Sequence, residues 1–512
     1  MGGFNPPTGR ICLQVNRFSV SGVVCRSRIG WVLMSCQGLS RWVGGLAAGL
    51  AACAALPLTA PLARADTLNS SLILAYQNNP SLNSQRAATR ATDENVPQAL
   101  SGYRPKITVT ATGGEQSLSS TSKVVGSTVP IGSSATYFTQ SGYNAPFGTG
   151  VTASQTLFNG FQTANKTRQA ESQVLAARAT LQQIEQTVLL NAVTAYMNLL
   201  RDSAILDLQK RNVEVLQEQL RQTRDRFNVG EVTRTDVAQA ESSLAAGRSQ
   251  VLTAEANYKS SAATYRQVIG INPGQLAPGT PVDRFSPANL AAAVGAGIAN
   301  HPAVTTAQYN VDAAQLAVKV AEGALYPTVS VQGNFTKNYE VVGSLNTIEN
   351  YSASVLGTLS VPIYQGGAEY SAIRQAKETL AQKRLDLDTA RDQVRQGVVQ
   401  SWGLLDAAKA NIDATRAQVQ AAEIALNGVR EEARVGQRTT LDVLNAQQVL
   451  VNARVAVVTA QHDRVVASFT LLSAVGRLTP SVLGLHVPVY DAQVHYQQVR
   501  DSWAGVRIPD GR

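Results

Sequence analysis

The chain has 512 residues, 15% of them charged and only 6% aromatic, with a formal net charge of +9. Residues 1–65 hold six of the 44 basic residues and none of the 35 acidic ones, which leaves 38 against 35, or +3, in the remainder. That near-balance excludes the basic footprint of a nucleic-acid binder, and few aromatics beside abundant Ala, Gln, Ser, Thr and Val read as an elongated protein rather than two or three compact domains.

Residues 1–65 read as a leader or signal peptide. The apolar run "WVGGLAAGLAACAALPL" (42–58) follows Arg41 and leads to "LARAD", where Ala63 and Ala65 satisfy the small-x-small rule for cleavage before Asp66. Two alternatives stay open: a start at Met34, and lipid attachment at Cys53, because "LAAC" (50–53) has the form of a lipoprotein box. All four cysteines (Cys12, Cys25, Cys36, Cys53) lie in this stretch, so no disulfide framework is expected after it. Beyond it no uncharged apolar run approaches the ~20 residues of a membrane helix, so a membrane crossing would have to use strands.

From residue 66 the chain is written twice. "NPSLNSQRAATRATDENVPQALSGYRP" (79–105) faces "HPAVTTAQYNVDAAQLAVKVAEGALYP" (301–327), and Phe158-Asn159-Gly160, Val229-Gly230 and Ile269-Gly270 recur 206 positions later as Tyr364-Gln365-Gly366, Val435-Gly436 and Val475-Gly476. The expected organisation is a first repeat at 66–270, a Pro/Gly-rich connector at 271–288, a second repeat at 289–479 and a C-terminal segment at 480–512.

Before its long helix each repeat carries strands, at about 106–158 and 328–364. "KITVTATGG" (106–114), "GVTASQTLF" (150–158), "TVSVQGNF" (328–335) and "YSASVLGTLSVPIY" (351–364) alternate with period two, giving two hairpins of roughly nine-residue strands, long enough to span a bilayer when tilted. The Ser/Thr/Gly-rich stretches near 117–147 and 339–350 read as loops at their tips. Beyond residue 65, 13 of 25 aromatics fall in 103–161 and 326–370, as aromatic girdles at a membrane surface would place them. Four strands cannot close a membrane barrel and an open edge cannot face lipid, so closure would need further copies of the chain.

A helical hairpin follows in each repeat, at about 160–270 and 366–476. Val174, Leu181 and Val188 recur every seven residues, then Leu199, Leu206, Val213 and Leu220 do so in a new register; Leu380, Leu387, Val394, Leu405, Ile412, Val419 and Leu426 repeat the pattern. Both copies step by eleven at the same place, which predicts long coiled-coil helices with a programmed change of twist. Val-Gly then ends the helix, and Thr233-x-x-Asp236 and Thr439-x-x-Asp442 form capping boxes that start its return. Arg438 has no place in that capping scheme.

In this order, with "YRP" before the first strand, "LFNG" and "IYQGG" at the strand-to-helix junctions, and "RFNVGEVTRTDVAQAE" and "ARVGQRTTLDVLNAQ" at the turns, the chain resembles the TolC family of outer-membrane channel-tunnel proteins over roughly 66–479. "ATDENVPQALSGYRP" (91–105) resembles its alphaproteobacterial branch. The resemblance implies an α+β membrane protein, a homotrimer with a twelve-stranded outer-membrane β-barrel continuing into a twelve-helix periplasmic α-barrel. It implies an exit duct of a tripartite export system, for type I protein secretion, multidrug efflux or both, working in outer-membrane lipid with a periplasmic adaptor and an inner-membrane ABC or RND transporter. Carried over by position, Thr235, Asp236 and Arg438 match gate-linking residues and Asp442 an acidic ring in the lumen. Val229, Gly230, Val435 and Gly436 match the periplasmic tip turns where adaptors dock. Two positions depart from the family pattern: Ala433 stands where a Tyr is frequent, and Asn445 where a second acidic ring is found.

No catalytic constellation, phosphate loop or cofactor motif is present in the sequence, and His301, His462, His486 and His495 have no metal-ligand spacing. The competing reading from another class, a periplasmic coiled-coil adaptor or structural protein that conducts nothing, fits poorly with a full duplication and two strand pairs.

Overall fold

The computed structural model describes residues 66–123, 137–342 and 346–509. The leader, its alternative start at Met34 and the Cys53 lipid site lie outside the described residues.

One long helix sets the shape of each repeat. α4 (Gln162–Asn228) and α8 (Ala368–Arg434) each run 67 residues, about 100 Å at ~1.5 Å per residue. Each is paired with a shorter return helix, α5 (Arg234–Ile269) and α9 (Thr440–Ala474). The heptad residues form the seam: Val174, Leu181, Val188, Leu199, Leu206 and Leu220 of α4 and Val394, Leu405, Ile412 and Leu426 of α8 are buried.

The step of eleven in α4 coincides with the largest apolar core. There Leu189, Val193 and Tyr196 are fully buried against Leu72 and Tyr76 of α1 (Leu68–Asn78), Tyr265 and Ile269 of α5, and Phe469 and Leu472 of α9. A helix packed on several sides cannot keep one seven-residue stripe, so the seam changes face where extra layers arrive. Burying each of these large side chains contributes about 2 kcal/mol. α8 makes a smaller counterpart, with Val394, Val398 and Leu405 packed on Ala293 and Val304 and on Leu471 and Val475.

The "NP" and "HP" dipeptides become helix starts. Asn79 Oδ1 accepts from the amides of Ser81 (3.0 Å) and Leu82 (3.3 Å) to cap α2 (Pro80–Asp93), and His301 Nδ1 accepts from Ala303 N (3.2 Å) to cap α7 (Pro302–Glu322). α3 (Asn95–Leu100) and α6 (Leu290–Asn300) complete the short helices of the two repeats. The C-terminal α10 (Ala492–Val499) is fastened to α2 by a buried pair, His495 Nδ1 and Asp93 Oδ2 at 3.0 Å.

The strands form one antiparallel sheet. β1 (Lys106–Gly113) pairs with β4 (Phe147–Asn159), β4 with β5 (Thr328–Val342), and β5 with β6 (Asn346–Ser360) over 15 residues. β2 (Gln116–Lys123) pairs with β3 (Tyr137–Asn144), so both arms of the expected 117–147 loop begin as strand instead. The second hairpin is likewise longer than the expected nine residues. Ser and Thr side chains with water on both sides need no apolar alternation to keep a backbone ladder, and period-two hydrophobicity therefore misses such extensions.

Register divides most side chains into two faces, with Gln155, Lys337 and Glu349 on the apolar side and Leu356 on the polar side as exceptions. Ile107, Val109, Val151, Ala153, Phe335, Val331, Val355 and Leu359 share one face; Thr108, Thr110, Thr152, Ser154, Asn334, Gln332, Ser352 and Ser354 share the other. Phe147 and Tyr339 (ring centroids 6.3 Å apart) and nearby Tyr351 border the apolar face at one end, and Phe158, packed edge-on against Phe161 at 5.3 Å, borders it at the other. Tyr351 to Leu359 is about 26 Å of strand at ~3.3 Å per residue, close to the apolar band of an outer-membrane barrel. Among the described residues no helix is long and apolar enough to cross a membrane. Among the described residues β1, its continuation β2 two residues later, and β6 each pair on one side only, so the sheet has two open edges, one along β1 and β2 and one along β6.

Candidate functional site

The two turns at the far ends of the helical hairpins have the same backbone. α4 closes with Gly230 at φ 82, where Gly230 N donates to Phe227 O (2.9 Å) and Glu231 N to Arg226 O (2.9 Å). α8 closes with Gly436 at φ 79 and the equivalent bonds to Ala433 O (3.3 Å) and Glu432 O (2.9 Å). This is the Schellman pattern. A Cβ on either glycine would meet nothing within 4 Å, so the left-handed backbone, not lack of space, calls for glycine. Val229 and Val435 are the last cap residues and are exposed by 77% and 71%. Two apolar side chains at the outermost turns have no core to join within the chain.

Both capping boxes form. Asp236 Oδ2 accepts from Thr233 N (2.9 Å) and Thr233 Oγ1 (2.7 Å), while Thr233 Oγ1 accepts from Asp236 N (3.3 Å). Asp442 makes the same set with Thr439 at 3.0, 2.9 and 3.3 Å. The Thr233 hydroxyl and amide hold the Asp236 carboxyl below the usual carboxylate range, and the Thr439 amide and hydroxyl do the same for Asp442. Both are anions at neutral pH. In each the cap uses Oδ2, and Oδ1 accepts no hydrogen bond among the described residues.

The charges beside the turns are where the repeats differ. Arg226 Nη2 lies 2.5 Å from Glu231 Oε1 across the first turn, and Arg438 Nε lies 2.9 Å from Glu432 Oε2 across the second. At the 206-residue offset Arg226 corresponds to Glu432, Glu231 to Gln437 and Val232 to Arg438. The first tip therefore runs cation to anion along the chain and the second anion to cation. Within one chain Arg438 pairs with Glu432 rather than Asp236, and Thr235 is exposed on the first turn of α5. Glu432 was not singled out from the sequence; aligning the two repeats by charge sign, not only by Val-Gly, would have found it. Such exposed pairs are worth little to stability, ~0–1 kcal/mol as a class, so their interest is positional.

Above the turns a polar bridge joins the two hairpins. Arg430 Nη2 donates to Gln447 Oε1 (3.1 Å), and Gln447 Nε2 to Asn212 Oδ1 (3.4 Å), with Asn212 and Gln447 both buried. Just below, Leu444 of α9 enters a cluster with Leu216 and Leu220 of α4 and Ala240 and Leu244 of α5. Ala433 is half-buried against the neighbouring cluster of Leu426 and Val443. Among the described residues no group of three or more His, Cys, Asp or Glu side chains is placed to hold a metal ion.

The sequence matches the outer membrane efflux protein family over residues 72–271 and 295–477. It is 42% identical over 455 residues to the outer membrane efflux protein BepC of Brucella suis biovar 1, spanning 89% of this chain and 95% of that one. It is 28% identical over 312 residues to the outer membrane protein TolC of Escherichia coli, spanning 58% and 63% of the two chains. The fold superposes on the Campylobacter jejuni CmeC outer membrane channel with a TM-score of 0.67 at 18% identity, covering 85% of this chain and 89% of that one. Duplicated hairpins, an amphipathic four-position sheet and the family match converge: the chain belongs to the outer membrane efflux protein family, the non-enzymatic TolC-type channels of the outer membrane that extend into the periplasm.

Proposed function

We propose that this protein is the outer-membrane exit duct of a tripartite export system, a passive channel closed at its periplasmic tip until an adaptor and an inner-membrane ABC or RND transporter engage it. The observation that carries the reading is the sheet: an apolar face bordered by aromatics, a Ser/Thr/Asn face opposite, and open edges at β1 and β6. Unpaired backbone groups in hydrocarbon cost several kcal/mol each. β2 continues β1, and β4 continues β3, after only two residues, so each copy brings four strand positions. Pairing β6 of one copy with β1 and its continuation β2 of the next removes both edges, and three copies give twelve strand positions with the polar face inward.

The same three-fold arrangement sets first and second tips alternately around one pore. Their opposite charge order makes neighbours complementary. Arg438, paired in its own chain with half-exposed Glu432 and close enough to Asp442 to feel its charge, can turn to Oδ1 of Asp236 on a neighbouring helix pair, where Thr235 lies beside it, without disturbing the cap on Oδ2. Asp442, fixed by its cap, contributes an anion to the lumen. An adaptor that binds the splayed tips better than the closed ones shifts the balance toward opening, with exposed Val229 and Val435 as apolar contacts.

Topology is testable with single cysteines, since no cysteine occurs after Cys53. On intact cells an impermeant maleimide should label Ser119→Cys in β2 and spare Gln437→Cys. The opposite pattern would invert the orientation and remove the duct reading.

A further inference from the structure

After α10 the chain returns toward the sheet. Arg500 lies 3.6 Å from Glu171, in the third turn of α4, and three residues later Trp503 stacks on Arg104. The guanidinium is 4.7 Å from the ring centre, and Arg104 Nη1 donates to Ser502 O at 2.6 Å. Arg104 stands two residues before Lys106, the first residue of β1. Its neighbour Tyr103 is tied to the apolar face, because Gln155 Nε2 donates to Tyr103 O (3.2 Å) and Gln155 is in register with Val331.

These contacts place the indole where the apolar face of the sheet ends. Tyr103, Leu157, Phe161 and Tyr326 are exposed at the same level, and Trp503 itself is exposed by 72%. The Arg104 contacts hold Trp503 in position against one face of the ring while leaving the rest exposed, and among the described residues no carboxylate neutralises Arg104. An amphipathic ring with a polar N–H beside an unneutralised cation is the chemistry of a phospholipid interface: the ring sits among the glycerol and upper acyl groups, and the guanidinium faces a phosphate.

We propose that Trp503 and Arg104 form a docking patch for the phospholipid headgroup layer of the periplasmic leaflet, so that the C-terminal segment anchors each copy of the channel at that depth. The inference rests on the membrane-spanning reading of the sheet and continues its apolar surface one step beyond the strands.

Outside residues 1–65 the chain has two tryptophans, Trp402 and Trp503. In a Trp402→Phe background, full-length protein reconstituted into phosphatidylethanolamine/phosphatidylglycerol vesicles should show Trp503 emission quenched by lipids spin-labelled near the headgroup, about twofold more than by lipids labelled at the acyl terminus. Adding Arg104→Ala should lower the shallow quenching by about half, because the ring loses its stacking partner. Protein that floats with the vesicles but whose Trp503 neither label quenches overturns the patch, whether its emission is red-shifted by water or blue-shifted by a neighbouring copy. Protein that fails to float with the vesicles at all would instead undo the membrane-spanning reading.

Discussion

Replacing Thr439 by Ala separates the capping role of the tip from its proposed gating role. Thr439 Oγ1 accepts from Asp442 N at 3.3 Å and donates to Asp442 Oδ2 at 2.9 Å, and both bonds go with the hydroxyl. The backbone bond from Thr439 N to the same carboxylate, 3.0 Å, does not need the side chain. Losing an N-cap hydroxyl costs about 1 kcal/mol, which enlarges the local opening equilibrium about fivefold. Amide hydrogen exchange of Thr440 to Leu444 in the assembled protein should accelerate by about that factor. The C-terminal end of α9 near Phe469, packed in the main core, should not change. Unchanged exchange at 440–444, or equal acceleration along all of α9, would refute the claim that the capping box is what starts this helix.

Arg438→Ser should raise single-channel conductance and leakiness to bulky antibiotics while leaving assembly and the exchange of Thr440 to Leu444 as in the unsubstituted protein, because the cap does not use Arg438; wild-type conductance would confine Arg438 to its pair with Glu432. Asp442→Asn keeps an acceptor oxygen for the cap but removes the anion, so reversal potentials in a salt gradient should show weaker cation preference with little change in tip exchange; unchanged selectivity would remove Asp442 from the lumen. The pH response follows from the lowered carboxyls of Asp236 and Asp442. A folded-state pKa below the unfolded one gives stability that is complete above the unfolded value, ~3.9, and is lost as pH falls through the lowered value. Tip exchange, corrected for intrinsic rates, should therefore be flat from about pH 7 to about pH 5 and rise only below about pH 4; a rise near pH 6 would point to a different group.

What was legible in the sequence is what repeats. The heptads, the shared step of eleven and the Val-Gly/Thr-x-x-Asp turns each encode a local geometry that neighbours do not override, and all appear as read. The outer parts of the strands were not legible, because Ser119, Thr121 and Thr139 face no core and carry no hydrophobic period; only the backbone register marks them as strand. Tip electrostatics were half legible. Arg438 stood out as unneeded by the cap, whereas its partner Glu432 lies in the preceding helix, where a charge is ordinary, and the Arg430–Gln447–Asn212 bridge joins residues 235 positions apart at its longest span. The buried pair of His495 with Asp93 was invisible for the same reason, with 402 positions between its members.

The central claim is that the two open edges, β1 and β6, close only against other copies. The most direct measurement is the mass of the detergent-solubilised assembly together with its β-sheet circular dichroism. Three chains per particle, with β signal and oligomer lost together on dissociation, is the predicted result. A stable monomer that keeps its β structure in detergent would contradict it.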